Sequence, residues 1–398
     1  MTASSASVTR GQTLLLAVVV GATVANIYYI QPLLPTLAVC FSTSASGIGK
    51  VAMLTQLGTA AGMLVFVPMG DTHQRRSLAF WLLLASSVAL ALFAGAQSVL
   101  VLALAGLMIG ITASAVHVLV PFAAHLAPKD QKGSAVGIVL SGLLLGILLA
   151  RTASGYISQW LDWRAMYILA SGFMLIASFG VRAKLPSQMP DVNLSWLKLL
   201  SSAWTLIRQQ PVVHDATLIS ALLFFAFSAF WTTLAFFLAG DHYSYGAAAA
   251  GNFGLVGAIG ALAAPLLGKL ADRFSARRNV LLTIILTSIS FVVMALWGNH
   301  LAGLIVGVLL LDIGMQGTHV SNQTRIYAVL PEAKSRMNMV YMFVYFLAGA
   351  MGSLAGAKAW QMFGWTGVCG LGFVATLAAL VSFAIFTVPI HRTETQLA

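Results

Sequence analysis

Charge is scarce in this chain. Of 398 residues only 8% are Asp, Glu, Lys or Arg, while 59% are hydrophobic. A soluble domain carries about 25% charged residues, so an ordinary water-facing surface is excluded and lipid is the natural solvent. Cysteine is nearly absent, with only Cys40 and Cys369 present. Two cysteines cannot build the framework of a disulfide-rich secreted domain, and neither has metal-ligand neighbours, so no metal is expected. The phosphate-binding loop of ATPases, the Gly-x-Ser-x-Gly elbow and the His-Glu-x-x-His zinc motif are also missing. These absences argue against an enzyme and against ATP-driven pumping by this chain, and no cofactor is expected.

Acids are scarcer than bases, ten against 21, for a net charge of +11. The placement of the bases argues against a nucleic-acid partner. Sixteen of the 21 fall at one set of alternate ends of the apolar runs, among them Arg10, Arg75, Arg76, Lys132, Arg182, Arg277 and Arg278. Only Lys50, Arg164 and Lys358 lie at the opposite ends, while Arg151 and Arg325 lie within runs. That asymmetry is the positive-inside pattern, which puts both termini in the cytoplasm and the basic clusters against an anionic inner leaflet.

What is abundant is apolar sequence. Twelve segments of spanning length can be read, at 12–38, 46–69, 78–97, 99–125, 134–160, 164–182, 214–239, 246–267, 279–298, 301–328, 337–361 and 366–388. A spanning helix needs roughly 20 apolar residues. A membrane β-barrel needs short alternating strands with a polar inner face, and these runs are too long and too uniformly apolar for that. The expected fold is an all-α membrane protein with twelve transmembrane helices. The early apolar run after Arg10 passes through Tyr28 and Tyr29, beyond the length of a signal peptide, and reads as the first span.

The chain is also one unit written twice. Gly70-Asp71-Thr72-His73-Gln74-Arg75-Arg76 returns as Gly268-Lys269-Leu270-Ala271-Asp272-Arg273-Phe274-Ser275-Ala276-Arg277-Arg278. Asp272 lies 201 positions after Asp71, and Arg277 lies 202 after Arg75 because the second loop has one extra residue. The offset of 202 then persists from His117 to His319, Lys132 to Lys334 and Trp163 to Trp365. Six spans per unit make the two copies parallel repeats, an arrangement that builds the halves of transporters. The expected division is a six-helix bundle over 1–182, a cytoplasmic linker over 183–213 and a second six-helix bundle over 214–398. Within the linker, Trp196, Trp204, Lys198 and Arg208 suit either a helix lying on the membrane face or a plain tether.

Twelve segments, a central loop and this loop motif resemble the major facilitator superfamily of secondary transporters. The family's loop reads Gly-x-x-x-Asp-Arg/Lys-x-Gly-Arg/Lys-Arg/Lys. Gly268, Asp272, Arg273, Arg277 and Arg278 match it with one extra residue, and Asp71, Arg75 and Arg76 match it in the first copy. There Val67 replaces the leading Gly and Gln74 the second. The run Asn26-Ile27-Tyr28-Tyr29-Ile30-Gln31-Pro32-Leu33-Leu34-Pro35 and the glycine-rich fifth segment resemble the bacterial efflux branch, which exports drugs, sugars and purine nucleosides. The resemblance implies a bacterial inner-membrane location. In the loops, Asp at a helix end can complement a neighbouring helix dipole and be clamped by arginines. The set therefore reads either as a conformational latch or as a plain positive-inside anchor.

Among ten acids only Asp312 falls near the middle of a span. Charge at that depth costs several kcal/mol unless paired, protonated or wet, so Asp312 is a candidate for proton coupling, with a structural ion pair as the alternative. Arg151 lies in the glycine-rich fifth segment, where it could hold an anionic group of a substrate or neutralise Asp312. The resemblance implies that segments one, four, seven and ten line a central cavity. It thereby brings His117 and His319 together as proton-coupling candidates, against the plainer reading of packed hydrogen-bonding histidines. Asn26, Tyr28, Tyr29 and Gln31, then Phe230 and Trp231, then Gln316, Asn322 and Gln323, are candidates for a pocket that takes flat or amphipathic solutes, or else packing aromatics. The arginine that many proton-driven exporters of the family carry in segment four is replaced here by Gly106, before Gly110. Pro32, Pro35, Pro121 and Pro265 are candidate kinks.

The combined expectation is a monomeric secondary transporter that exports a small organic solute in exchange for protons. An uptake symporter for a sugar or metabolite shares the fold, and a non-transporting membrane sensor or scaffold is the alternative of another class.

Overall fold

The computed structural model describes residues 9–128, 130–187, 210–262, 275–329 and 334–385. All regular structure among them is helical. The solvent dictates this: in hydrocarbon each backbone N–H and C=O must be satisfied within its own segment, and long apolar runs achieve that only as helices.

Ten helical stretches among the described residues are long and apolar enough to cross a membrane. Segment one is broken into Arg10–Tyr28, a tight turn at Gln31–Leu33 and Leu34–Cys40. The break falls where Pro32 and Pro35 withdraw two amide donors from the ladder. Segments two and three are Ala45–Thr72 and Arg75–Ala94. Segment four is interrupted at Ser114, which divides Val99–Ala113 from Ala115–Leu126, and Pro121 lies inside the second piece. Segments five, six and seven are Lys132–Trp160, Trp163–Lys184 and Pro211–Ala239. Segment eight is described as Ala247–Leu262, and segments nine and ten are Ala276–Trp297 and Leu301–Val329.

Segments eleven and twelve form one stretch, Lys334–Ile385, of 52 residues. At 1.5 Å per residue that is about 78 Å, more than twice the roughly 30 Å of a hydrocarbon core. One helix cannot span that distance once, and the chain turns at Gly364, whose φ of 61° and ψ of −150° belong to glycine alone. Most of the expected linker and Pro265 lie outside the described residues.

Local signals set the helix starts. Thr9 and Gln12 form a reciprocal capping box, and Ser44, Ser98 and Ser275 each accept a first-turn amide. Packing relies on small residues, because lipid gives no hydrophobic drive between helices. Segment one crosses segment five with Gly21 against Gly142 and Gly146, so close that a Cβ would strike backbone. Two large buried clusters result, one drawn from residues 16–185 and one from 219–379.

Candidate functional site

A cavity of about 460 Å³ opens between the two clusters. Segments one, two, four, five, seven, eight, ten and eleven all contribute to its wall. That volume falls in the range of small-molecule sites, about 300–1,000 Å³.

The wall is mostly apolar and aromatic. Phe224 and Phe227 come from segment seven, and Tyr345 and Phe346 from segment eleven. The Phe224 and Tyr345 rings stack with centroids 3.8 Å apart. Neither pair was among the expected residues, although their spacing carries the signal. Phe224, Phe227 and Trp231 follow i, i+3, i+7, and Tyr341 and Tyr345 follow i, i+4, so each set shares one helix face.

Arg151 and Asp312 both line this cavity, and both are at least 95% buried. Arg151 is held by its neighbours. Its Nε donates to Gln31 Oε1 at 2.5 Å. Its guanidinium lies over the Trp231 ring at 3.9 Å and the Tyr28 ring at 4.8 Å from the centroids. Among the described residues its Nη2 has no hydrogen-bond partner, and neither has Asp312 Oδ2. No ion pair joins the two among the described residues. Segment eight leaves room for both side chains. Glycines 251 and 254 face Arg151, and a Cβ on Gly257 would come within 2.9 Å of Asp312 Oδ2 and 3.0 Å of Trp231 Cζ2. Side chains at these positions would fill the space that the two charged groups occupy.

His117 and His319 face the same cavity, joined by Tyr28 and Gln316. His319 Nδ1 and the Tyr341 hydroxyl are 2.9 Å apart. The remaining pocket candidates lie off the cavity wall, engaged in packing. Asn26 donates to Ser86, and Tyr29 meets Tyr167 edge to face. Gln31 lines a smaller adjoining recess besides holding Arg151. Phe230 is fully buried between Trp231 and Trp365. Trp231 backs Arg151, and Gln323 donates to Asn338. Asn322 donates to the Ala216 carbonyl and the Ser220 hydroxyl. The physical reason is common to them: a buried amide or ring in lipid takes the nearest helix partner rather than facing an open space.

Asn322 also belongs to a centre that sequence reasoning missed. Arg325 Nη2 pairs with Asp215 Oδ2 at 2.5 Å, and Arg325 Nη1 donates to Asn322 Oδ1 at 2.9 Å. Asp215 sits at the start of segment seven, where an acid reads as a solvated end residue, yet it is 3% exposed. The available signal was Arg325, a second cation within a span that needed a partner.

The cavity is closed at one end. Gln56 Nε2 donates to Ser353 Oγ at 2.8 Å, and Thr232 donates to the same oxygen at 3.0 Å. Ser46 N donates to Gln361, Thr152 to the Gly251 carbonyl and Asn252 to the Tyr156 hydroxyl. These contacts knit segments two to eleven and five to eight. From Arg151 the cavity extends the other way, past Ser141, His117 and His319, toward the end that carries Asp71.

At that end Asp71 pairs with Arg75 at 3.1 Å, within its own loop. Arg75 Nε also donates to the Gly70 carbonyl, and Arg76 to the Leu185 carbonyl. Val67, in place of the family's glycine, packs against Met339 and Val340 of segment eleven. In the second copy Gly268, Asp272 and Arg273 lie outside the described residues. Arg277 stacks over Phe383 at 5.1 Å, and the Arg278 amide is capped by Ser275.

The model of the Major Facilitator Superfamily matches residues 15–353 and 253–398. The chain is 38% identical over 382 residues to the uncharacterized transporter YgaY of Escherichia coli O157:H7, covering 96% of each. A shorter match, 28% identical over 174 residues and 44% of each chain, is to a chloramphenicol resistance protein of Streptomyces lividans. In fold it is similar to a bacterial homologue of the human lysosomal transporter Spinster, solved inward-facing and unoccupied. The TM-score is 0.73 at 15% identity, over 95% of this chain and 94% of that one.

Proposed function

The chain belongs to the Major Facilitator Superfamily, and from that premise we propose that it exports a small organic solute in exchange for protons, by alternating access. That it is a multi-pass membrane transporter follows from the family and its long apolar helices. Direction, coupling and substrate are the proposal. The observation that carries it is Asp312, a buried acid on the cavity wall whose Oδ2 has no partner among the described residues. A carboxyl so placed can be neutralised by a proton or satisfied by a cargo, and competition between the two is what exchange requires.

The same reading takes residues 1–182 and 214–398 as parallel six-helix halves joined by 183–213, in one monomer of the bacterial inner membrane. With both termini cytoplasmic, the cavity is open toward the cytoplasm, the side from which an exporter loads. Asp71, Arg75, Arg76, Gly268, Asp272, Arg273, Arg277 and Arg278 then form two unequal latches at the cytoplasmic face, which hold and release as the halves rock. The resistance-protein relative supports export over uptake.

The test is a growth and efflux screen of organic solutes in a bacterial strain lacking other exporters, with and without this protein. Proton-dependent extrusion of at least one solute is expected. Accumulation instead of extrusion identifies an uptake symporter, and no flux of any solute identifies a sensor or scaffold. Either result overturns export.

A further inference from the structure

Three buried polar atoms around this cavity have no hydrogen-bond partner among the described residues, two on side chains that line it and one on the ring behind Arg151. They are Arg151 Nη2, Asp312 Oδ2 and Trp231 Nε1. Arg151 lies flat on Trp231, and the Trp231 ring edge and the Asp312 carboxyl converge on the same point beside Gly257. In proteins such atoms almost always have partners, and a buried charge left unpaired is costly. Phe224, Phe227, Tyr345 and Phe346 form the aromatic part of the wall, beside the polar Tyr28, Thr59, His117, Ser141, Gln316 and His319.

Taking the exporter reading above as given, we propose that Arg151, backed by Trp231, and Asp312 form a two-ended clamp for an aromatic zwitterion. An anionic oxygen of the solute accepts from the Arg151 guanidinium, its ammonium donates to the Asp312 carboxylate, and its flat body lies against the aromatic wall. The charges select this class. Arg151 and Asp312 together are neutral, so a solute of no net charge that carries both signs satisfies both. A simple cation leaves Arg151 buried and unpaired, and a simple anion does the same to Asp312. The stacked Phe224–Tyr345 panel favours a planar ring system over a sugar or an aliphatic chain. Gln31 has a positioning role. By taking Arg151 Nε it leaves Nη2 as the end free for cargo.

The experiment measures equilibrium binding of three matched probes to the purified full-length protein in detergent. They are β-(2-naphthyl)alanine, a zwitterion; 2-(2-naphthyl)ethylamine, its cation; and 3-(2-naphthyl)propanoate, its anion. The zwitterion is expected to bind at least tenfold more tightly than either single-charge probe. Arg151→Gln is expected to reverse the order in favour of the amine, and Asp312→Asn in favour of the acid. That crossover is a readout that a general loss of structure does not give. Where a variant fails to fold, the ranking of the three probes on the unaltered protein decides alone. Equal affinities, a preference for a single-charge probe, or no saturable binding by any of the three overturns the clamp. Because binding in detergent needs neither a gradient nor flux, the clamp can fail while proton-driven export stands, and the reverse.

Discussion

The molecule contains two buried Arg–Asp couples, and they are built in opposite ways. Asp215 and Arg325 join segments seven and ten by a direct ion pair at 2.5 Å, with Asn322 bridging from Arg325 to Ser220. Arg151 and Asp312 are as deeply buried, yet no ion pair joins them among the described residues, and both line a cavity. The chemistry is the same and the geometry differs. A pair in direct contact opposes any motion that separates its helices. A couple without that contact, on the wall of a cavity, gains by accepting something from outside, which is the property a transport site needs. Only Asp312 lies against glycines that leave it room, whereas Asp215 is enclosed by its partners.

The largest effect that breaks this comparison is expected at the directly bonded pair. Arg325→Ala leaves Asp215 buried and unpaired and should cost about 3–5 kcal/mol, read as a lower thermal unfolding temperature in detergent. Next comes Asp312→Asn, which should reduce pH-gradient-driven flux of a screened solute at least tenfold in proteoliposomes while expression holds. Undiminished driven flux would remove Asp312 from the coupling step. Gly257→Ala sharpens the comparison, because its Cβ would press on both Asp312 Oδ2 and Trp231. A severalfold loss of flux with little loss of stability is expected, and parent-like flux would show that the couple needs no such room. The smallest effect is expected at Asp71→Asn. Its pair with Arg75 is partly exposed at 18% and 36% for the Arg and Asp side chains, so the stability change should stay within about 0.5 kcal/mol. Altered cysteine accessibility at the two membrane faces is the mark of a latch, and an unaltered pattern is the mark of an anchor.

Much of this could be read from the chain because membranes impose few solutions. Length and hydropathy alone marked the chain as an all-helical membrane protein, with ten helices of spanning length among the described residues, and charge scarcity made Asp312 and Arg151 conspicuous. Placing His117 with His319 needed the repeat and the resemblance. What escaped notice was decided by rotation about helix axes. Asn26, Tyr29, Phe230 and Asn322 differ from the cavity residues Tyr28 and Gln316 only in which way their helix faces point. Neighbouring positions lie about 100° apart around a helix, so a run of polar and aromatic residues cannot all reach one space. Asp215 escaped because an acid near a segment end has an ordinary explanation in water. Its burial depends on Arg325, 110 positions away. The breaks at Tyr29–Leu33 and Gly364 follow from proline and glycine, but the interruption at Ser114 has no such marker in the sequence.

The central claim is that one couple is structural and the other is held open for cargo. Thermal stability of Asp215→Asn and Asp312→Asn, measured side by side in the same detergent without ligand, tests it most directly. The account predicts a marked loss for Asp215→Asn, which breaks a direct ion pair, and a stability at or above the parent's for Asp312→Asn, which removes a buried charge that makes no ion pair among the described residues. Equal losses in the two variants would contradict it.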